Sequence, residues 1–125
     1  MSRSRRILHP SDFSPASRRA FATSVDLAKT NRAELLVLHV LAPIIPMGGG
    51  FSARVYEDLD ASARAYGQKE LDALIAKAKK AGVRAKALLL DGIVHDRITR
   101  AARAQRADLI VIGTVMNEIA AGARI

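Results

Sequence analysis

The chain contains no cysteine, which excludes disulfide staples, thiolate zinc sites and a cysteine nucleophile. Aromatic residues make up only 4% of it and do not interleave with the basic ones, so a stacking platform for single-stranded nucleic acid has little support. There is no G-x-x-x-x-G-K-[S/T] phosphate loop and no G-x-S-x-G nucleophile elbow. Nor is there a long clean apolar run. The longest stretch free of Asp, Glu, Lys and Arg, Leu35 to Ala53, is interrupted by His39, Pro43, Pro46 and Gly48-Gly49-Gly50. It reads as a buried strand entering a loop, not as a membrane helix. The basic start, Met1 to Arg6, has only Ile7-Leu8 behind it before Pro10, too little for an export signal. A soluble, cytoplasmic protein without membrane association is therefore expected.

What is present suits one folded domain spanning residues 1–125. Half of the residues are hydrophobic and 26% are charged, the balance of a globular chain. The net charge of +8 attracts anions in general and selects none of them. Arg97, Arg100, Arg103 and Arg106 recur every third residue, a spacing that drifts around a helix of period 3.6 and spreads them over a solvated face. Nucleic acid is not the expected partner.

Hydrophobic period alternates along the sequence. Arg5 to His9 is a short extended segment stopped by Pro10. Ser14-Pro15 then opens a helix, with Ser14 as N-cap and Pro15 at the first helical position. Ala20, Phe21, Val25, Leu27 and Ala28 form its inner face. Glu34 to Leu41 is apolar almost throughout, as in a strand covered on both faces. A second helical pattern starts at Ser52, with Val55, Leu59, Ser62, Tyr66, Leu71, Leu74, Ile75 and Ala78 on one side and Gly82 as its stop. Gly67 weakens that helix by about 1 kcal/mol relative to alanine. Val83 to Leu89 alternates, as in a strand nearer a sheet edge. Asp91-Gly92 turns the chain, Ile98, Ala101 and Ala102 mark a third helix, and Asp108 to Gly113 is a further apolar strand.

This βαβαβαβ order implies a doubly wound open parallel α/β sheet of four strands with helices on both faces. Ligands of such sheets sit beyond the carboxyl ends of the strands, where the winding reverses. The positions to question are therefore Pro10-Ser11-Asp12, Val40 to Pro43, Asp91-Gly92 and Gly113-Thr114. Each also has a plain structural reading. Asp12 could simply cap the following helix through Asx geometry, and Asp91-Gly92 could be a tight turn. His9 and His39 lie in adjacent strands, but two histidines without a third ligand make a poor metal site. Gly48-Gly49-Gly50 suits a loop over the strand ends better than a phosphate cradle.

The stretch Arg6 to Ser17, with its D-x-S-x-x-S turn at Asp12, Ser14 and Ser17, resembles the opening of universal stress proteins. Glu34 to Val40 resembles their second strand, and Asp91-Gly92 followed by Ala107 to Thr114 resembles their third helix and fourth strand. The resemblance implies the same doubly wound sheet, a homodimer or higher oligomer, a stress-response role without catalysis, and, in one branch, ATP or AMP binding. In that branch an aspartate after the first strand and the backbone of a valine after the second hold the adenine; Asp12 and Val40 match them. A G-x-x-G loop after the fourth strand, closed nine residues later by G-[S/T], holds ribose and phosphates. Gly113 matches its first glycine, and Pro10, Ser11, Ile112 and Thr114 flank the candidate site.

From there the sequence departs. Met116 stands at the second glycine, and neither the closing G-[S/T] nor a fifth strand is matched before Ile125. Glycines there let backbone N–H groups converge on phosphate oxygens, which a methionine does not. The adenine end of the pocket is expected to persist better than the phosphate end. The apolar strand Leu109 to Ile112 is expected to become a sheet edge open to another chain.

Overall fold

In a computed structural model the chain is described over residues 5–44 and 52–113. Strands β1 (Arg6–Pro10), β2 (Glu34–Leu41), β3 (Ala85–Asp91) and β4 (Leu109–Ile110) alternate with helices α1 (Pro15–Asn31), α2 (Ala53–Lys80) and α3 (Val94–Ala104). All pairings are parallel and the strand order is β3-β2-β1-β4. The chain leaves β1 to build β2 and β3 on one side, then returns through α3 to place β4 on the other. The winding therefore reverses between β1 and β4, as the expected α/β architecture requires.

The two sheet faces bury different sets. Ile7, Leu35, Val37 and Ala85 pack with Phe21, Ala28, Leu71 and Ala78 of α1 and α2. Leu8, Leu36 and Leu38 pack with Ala101 and Ile98 of α3. Strand β2, central and covered on both sides, is fully buried from Leu35 to Leu38, which accounts for its unbroken apolar run.

Local chemistry sets the helix ends. The Ser14 hydroxyl accepts from Ser17 N–H and Pro15 sits in the first turn, so α1 begins where the N-cap sequence places it. Arg32 closes α1 in the left-handed region at φ 53°, its N–H reaching Ala28 and Lys29 carbonyls. At the amino ends of the strands, Arg6 and Asp108 exchange backbone hydrogen bonds through Arg6 O and the Asp108 carboxylate, and Arg6 also pairs with Glu34 at 3.3 Å. Four expectations change. Pro10 ends β1 as a member of it instead of stopping the strand before itself. Beneath α1, Ser17 and Ser24 are buried beside the apolar face, Ser24 donating to Ala20 O.

Leu59 and Tyr66, assigned above to the inner face of α2, are about half exposed. Helix α2 runs ~42 Å at 1.5 Å per residue, whereas the seven residues of β3 span only ~23 Å. Its amino-terminal half extends past the sheet, and among the described residues Leu59 and Tyr66 find no deep burial there. Finally, β4 is shorter than the Asp108–Gly113 stretch: the ladder holds Leu109 and Ile110, and Val111 N–H adds one further bond to Leu8 O. Leu109, Ile110 and Ile112 are 45%, 39% and 52% exposed, so the described sheet does end in an apolar edge. Among the described residues no helix is long and apolar enough to cross a membrane.

Gly67 has a tertiary reason that its helix propensity concealed. A Cβ there would lie 3.0 Å from His39 Cδ2 and 3.4 Å from Leu89 Cδ1, so its absence is what lets α2 cross β2 and β3 closely. Of the four arginines on and after α3, Arg97 is half-buried against Gly92 and the other three are exposed, as the drift of their spacing implies.

Candidate functional site

A cleft of about 160 Å3 opens at the carboxyl ends of β1, β2 and β4, at the reversal point. Pro10, Ser11 and Asp12 come from β1 and the turn after it, Val40 from β2, and Ile112 and Gly113 from the chain after β4. Six of the seven sequence-selected site residues are thus brought together; the seventh, Thr114, lies outside the described residues. So do the Gly48–Gly50 loop and the segment 115–125 that carries Met116.

Asp12 is held by the first turn of α1. Its Oδ1 accepts from Ser17 Oγ at 2.6 Å and from Ser14 N–H at 2.9 Å. The Ser14 hydroxyl, then the Ser17 hydroxyl and the Ser14 N–H, favour the charged form and bring its pKa down to about 2. The carboxylate is therefore ionised throughout the physiological range. The D-x-S-x-x-S spacing is what makes this arrangement local: the acid precedes the helix and the two serines fall on its N-cap and first turn. The Asx-capping reading of Asp12 and a ligand-facing one are compatible, since the capped carboxylate is also part of the cleft wall. Phe13, between the acid and the N-cap, adopts φ 65°, a conformation uncommon for an aromatic residue. Its ring lies 4.4 Å from that of His39 and 5.8 Å, edge-on, from that of Tyr66.

Each of the two histidines engages a backbone carbonyl through Nδ1. His39 Nδ1–H donates to Ser11 O at 2.8 Å and fixes the turn after β1. His9 Nδ1–H donates to Val111 O at 2.8 Å and ties β1 to β4 where the ladder has ended. His9 is fully buried, and burial, only partly offset by the Val111 carbonyl, pushes its pKa below the usual 6.5. No group of three His, Cys, Asp or Glu that could hold a metal occurs among the described residues.

Gly113 lies directly against the first turn of α1. A Cβ at this position would lie 2.6 Å from Ala16 C, 2.8 Å from Ser17 N and closer still to Ala16 O, all backbone of the first turn of α1. Only glycine lets the chain after β4 lie against that turn. Sequence reading selected this glycine as part of a loop; its packing against α1 was not visible there.

Five lining residues lie outside the set selected from sequence: Ser17, Leu38, His39, Val94 and Ile98. Ser17 belongs to the D-x-S-x-x-S pattern and Ile98 to the helical one, but only the seating of α3 brings Val94 and Ile98 into one lining with Asp12. Together with Val40 and Ile112 they give the cleft apolar sides suited to a flat ring, with one fixed anionic acceptor at its edge. Asp91-Gly92 is not part of the lining. Asp91 instead receives Arg64 of α2 at 2.6 Å, and Gly92, at φ 139°, turns the chain into α3.

Residues 3–120 match the model of the universal stress protein family. No curated protein sequence matches the chain significantly. Among solved structures, a protein of the universal stress protein family from Burkholderia pseudomallei is 29% identical with a TM-score of 0.74, over 87% of this chain and 80% of that one. The universal stress protein UspA from Lactobacillus plantarum is 23% identical with a TM-score of 0.77, over 100% of this chain and 86% of that one. A universal stress protein family protein from Arabidopsis thaliana, solved with AMP bound, is 23% identical with a TM-score of 0.67, over 88% and 76% of the two chains.

Proposed function

The chain belongs to the universal stress protein family, and on that premise we propose that it is a non-enzymatic binding module of the cytoplasmic stress response. In this reading its cleft receives the base-and-ribose end of an adenine nucleotide. The observation that carries it is the convergence of Asp12, Val40 and Gly113 at the winding reversal. Asp12, ionised and fixed by two serines, is a ready acceptor for an exocyclic amine. Val40, Val94, Ile98 and Ile112 supply the apolar sides. A related structure solved with AMP supports the ligand class.

The phosphate end is expected to contribute little. The sequence offers Gly113 but a methionine three residues later, so the converging N–H groups that grip a phosphate chain are not encoded there. Affinity should therefore be set by the nucleoside and change little from AMP to ATP. Self-association belongs to the same proposal: the apolar edge at Leu109, Ile110 and Ile112 suits pairing with another copy in a homodimer or higher oligomer.

A thermal-shift titration with adenosine, AMP, cyclic AMP and ATP tests the cleft, because a ligand of the folded state raises stability by RT ln(1 + [L]/Kd). Comparable stabilisation by AMP and ATP is the expected result. No stabilisation by any of the four at millimolar concentration overturns the nucleotide reading. ATP binding roughly 100-fold tighter than AMP, about 2.8 kcal/mol, overturns the weak-phosphate reading and makes this an ATP-binding protein of the family's usual kind.

A further inference from the structure

A second cavity, of about 230 Å3, lies between α1 and α2 on the opposite side of the first turn from the cleft. Phe21, buried, and Phe13 and Leu74, half-buried, form its apolar part. Ser11 and Ser17, both buried, belong to its lining and to that of the cleft, so the two spaces share a wall. Arg18 of α1 and Glu70 and Lys77 of α2 supply its charge. None of these three is engaged in an ion pair among the described residues, although each is within the lining of one cavity.

We propose that this cavity binds a small aromatic carboxylate. Two cations against one carboxylate leave one positive charge over, which a single anionic group neutralises. Asp26 is outside this lining, in the adjoining stretch of the α1–α2 groove, which Arg18 and Lys77 line as well. Phe13 and Phe21 present ring surface, against which an aromatic ligand gains edge and offset contacts beyond simple area burial. At about 230 Å3 the cavity is below the ~300–1,000 Å3 of pockets for drug-sized ligands, so its ligand is small. Such a ligand is fragment-sized, and a Kd on the order of 1 mM fits it. Because Ser17 Oγ donates to Asp12 Oδ1 across the shared wall, an occupant of this cavity is registered at the cleft without entering it.

The test is a two-dimensional amide NMR titration of the whole chain with phenylacetate, and with phenylacetamide as its neutral counterpart. Phenylacetate is expected to move the signals of Ser11, Ser17, Phe21, Leu74 and Lys77, and phenylacetamide to bind roughly tenfold more weakly for want of the charged contact. Arg18 and Lys77 are exposed, so R18Q/K77Q keeps the fold and should lose phenylacetate by the same factor. Ala73→Phe fills the cavity from an exposed helix position with both cations kept, and should also abolish binding. The proposal is overturned by equal affinity for acid and amide, by unchanged binding in either variant, or by shifts confined to Val40 and Ile112. Absence of any shift at about 10 mM phenylacetate, well above the expected Kd, overturns it too. Its failure leaves the nucleotide reading untouched, since adenosine is titrated separately at the other cavity.

Discussion

Replacing Gly113 by alanine isolates the contact on which the cleft's geometry depends. The added methyl would meet Ala16 O, Ala16 C at 2.6 Å and Ser17 N at 2.8 Å. These are backbone atoms of a capped first turn, and Ala16 and Ser17 are themselves buried, so no side chain can swing away to make room. The chain after β4 must retreat from α1, which loosens the His9–Val111 hydrogen bond next to it. Forcing a methyl into a packed site costs typically ~1–3 kcal/mol, and an immovable backbone puts this case at the upper end. Alanine recovers ~0.4–1 kcal/mol by restricting the unfolded chain, which leaves a net loss of ~2 kcal/mol. At roughly 2.1 cal/mol/K per residue that loss lowers Tm by about 8 °C for a domain of this size. Urea unfolding of the ligand-free protein is the assay, read as a lower midpoint with unchanged slope. Gly82→Ala serves as comparison: Gly82 has φ 88° but nothing within 4 Å, so it isolates conformational strain of about 1 kcal/mol. Were Gly113→Ala no less stable than Gly82→Ala, the close approach to α1 would not be what requires this glycine.

Four further outcomes follow from named contacts. Ser17→Ala removes the 2.6 Å donor to Asp12, and should cost ~1–2 kcal/mol while raising the Asp12 pKa from about 2 toward 3.8; an unmoved carboxyl titration in NMR contradicts the assignment. His9 is held neutral by burial, so the unfolded chain binds a proton below pH 6.5 that the folded one resists. Stability should therefore fall on acidification below that pH, with a slope of up to ~1.4 kcal/mol per pH unit, and a level profile from pH 6.5 to 5 argues against it. Asp12 acts in the opposite pH sense from a raised base: its contribution is complete above pH 3.8 and disappears as pH falls toward 2. Since that carboxylate is exposed, solvent screening limits the effect to ~1 kcal/mol or less, measurable as the acid-limb difference between the parent and Asp12→Asn. Ile110→Lys puts a charge on the open edge and should convert a dimer into a monomer in light scattering; a parent protein already monomeric at micromolar concentration refutes edge pairing.

Much of the fold was legible because its causes are local. Ser14-Pro15 caps and starts α1 with atoms that lie within three residues of one another. The unbroken apolar run of β2 reports burial on both faces, and strict alternation of strand and helix leaves few topologies other than a parallel sheet. The strand ends of such a sheet meet, which marked out the segments after β1, β2 and β4, and the family resemblance singled out Asp12, Val40 and Gly113 within them. Where local period misled, it was because length relations between elements decide burial: Leu59 and Tyr66 keep helical spacing with the core face, yet α2 is longer than the strands it covers.

Periodicity by itself determined the α/β class and the element order, and the residues of the D-x-S-x-x-S turn and of the strands carried the family resemblance, since these depend on which residues follow one another. Tertiary structure alone decided that Gly113 rests on the backbone of α1, that His9 joins β1 to β4, that Ser11 and Ser17 separate two cavities, and that Arg18 and Lys77 face the same one. Those facts are distances between segments far apart in the chain, set by how helices seat on the sheet, and no spacing along the sequence encodes them.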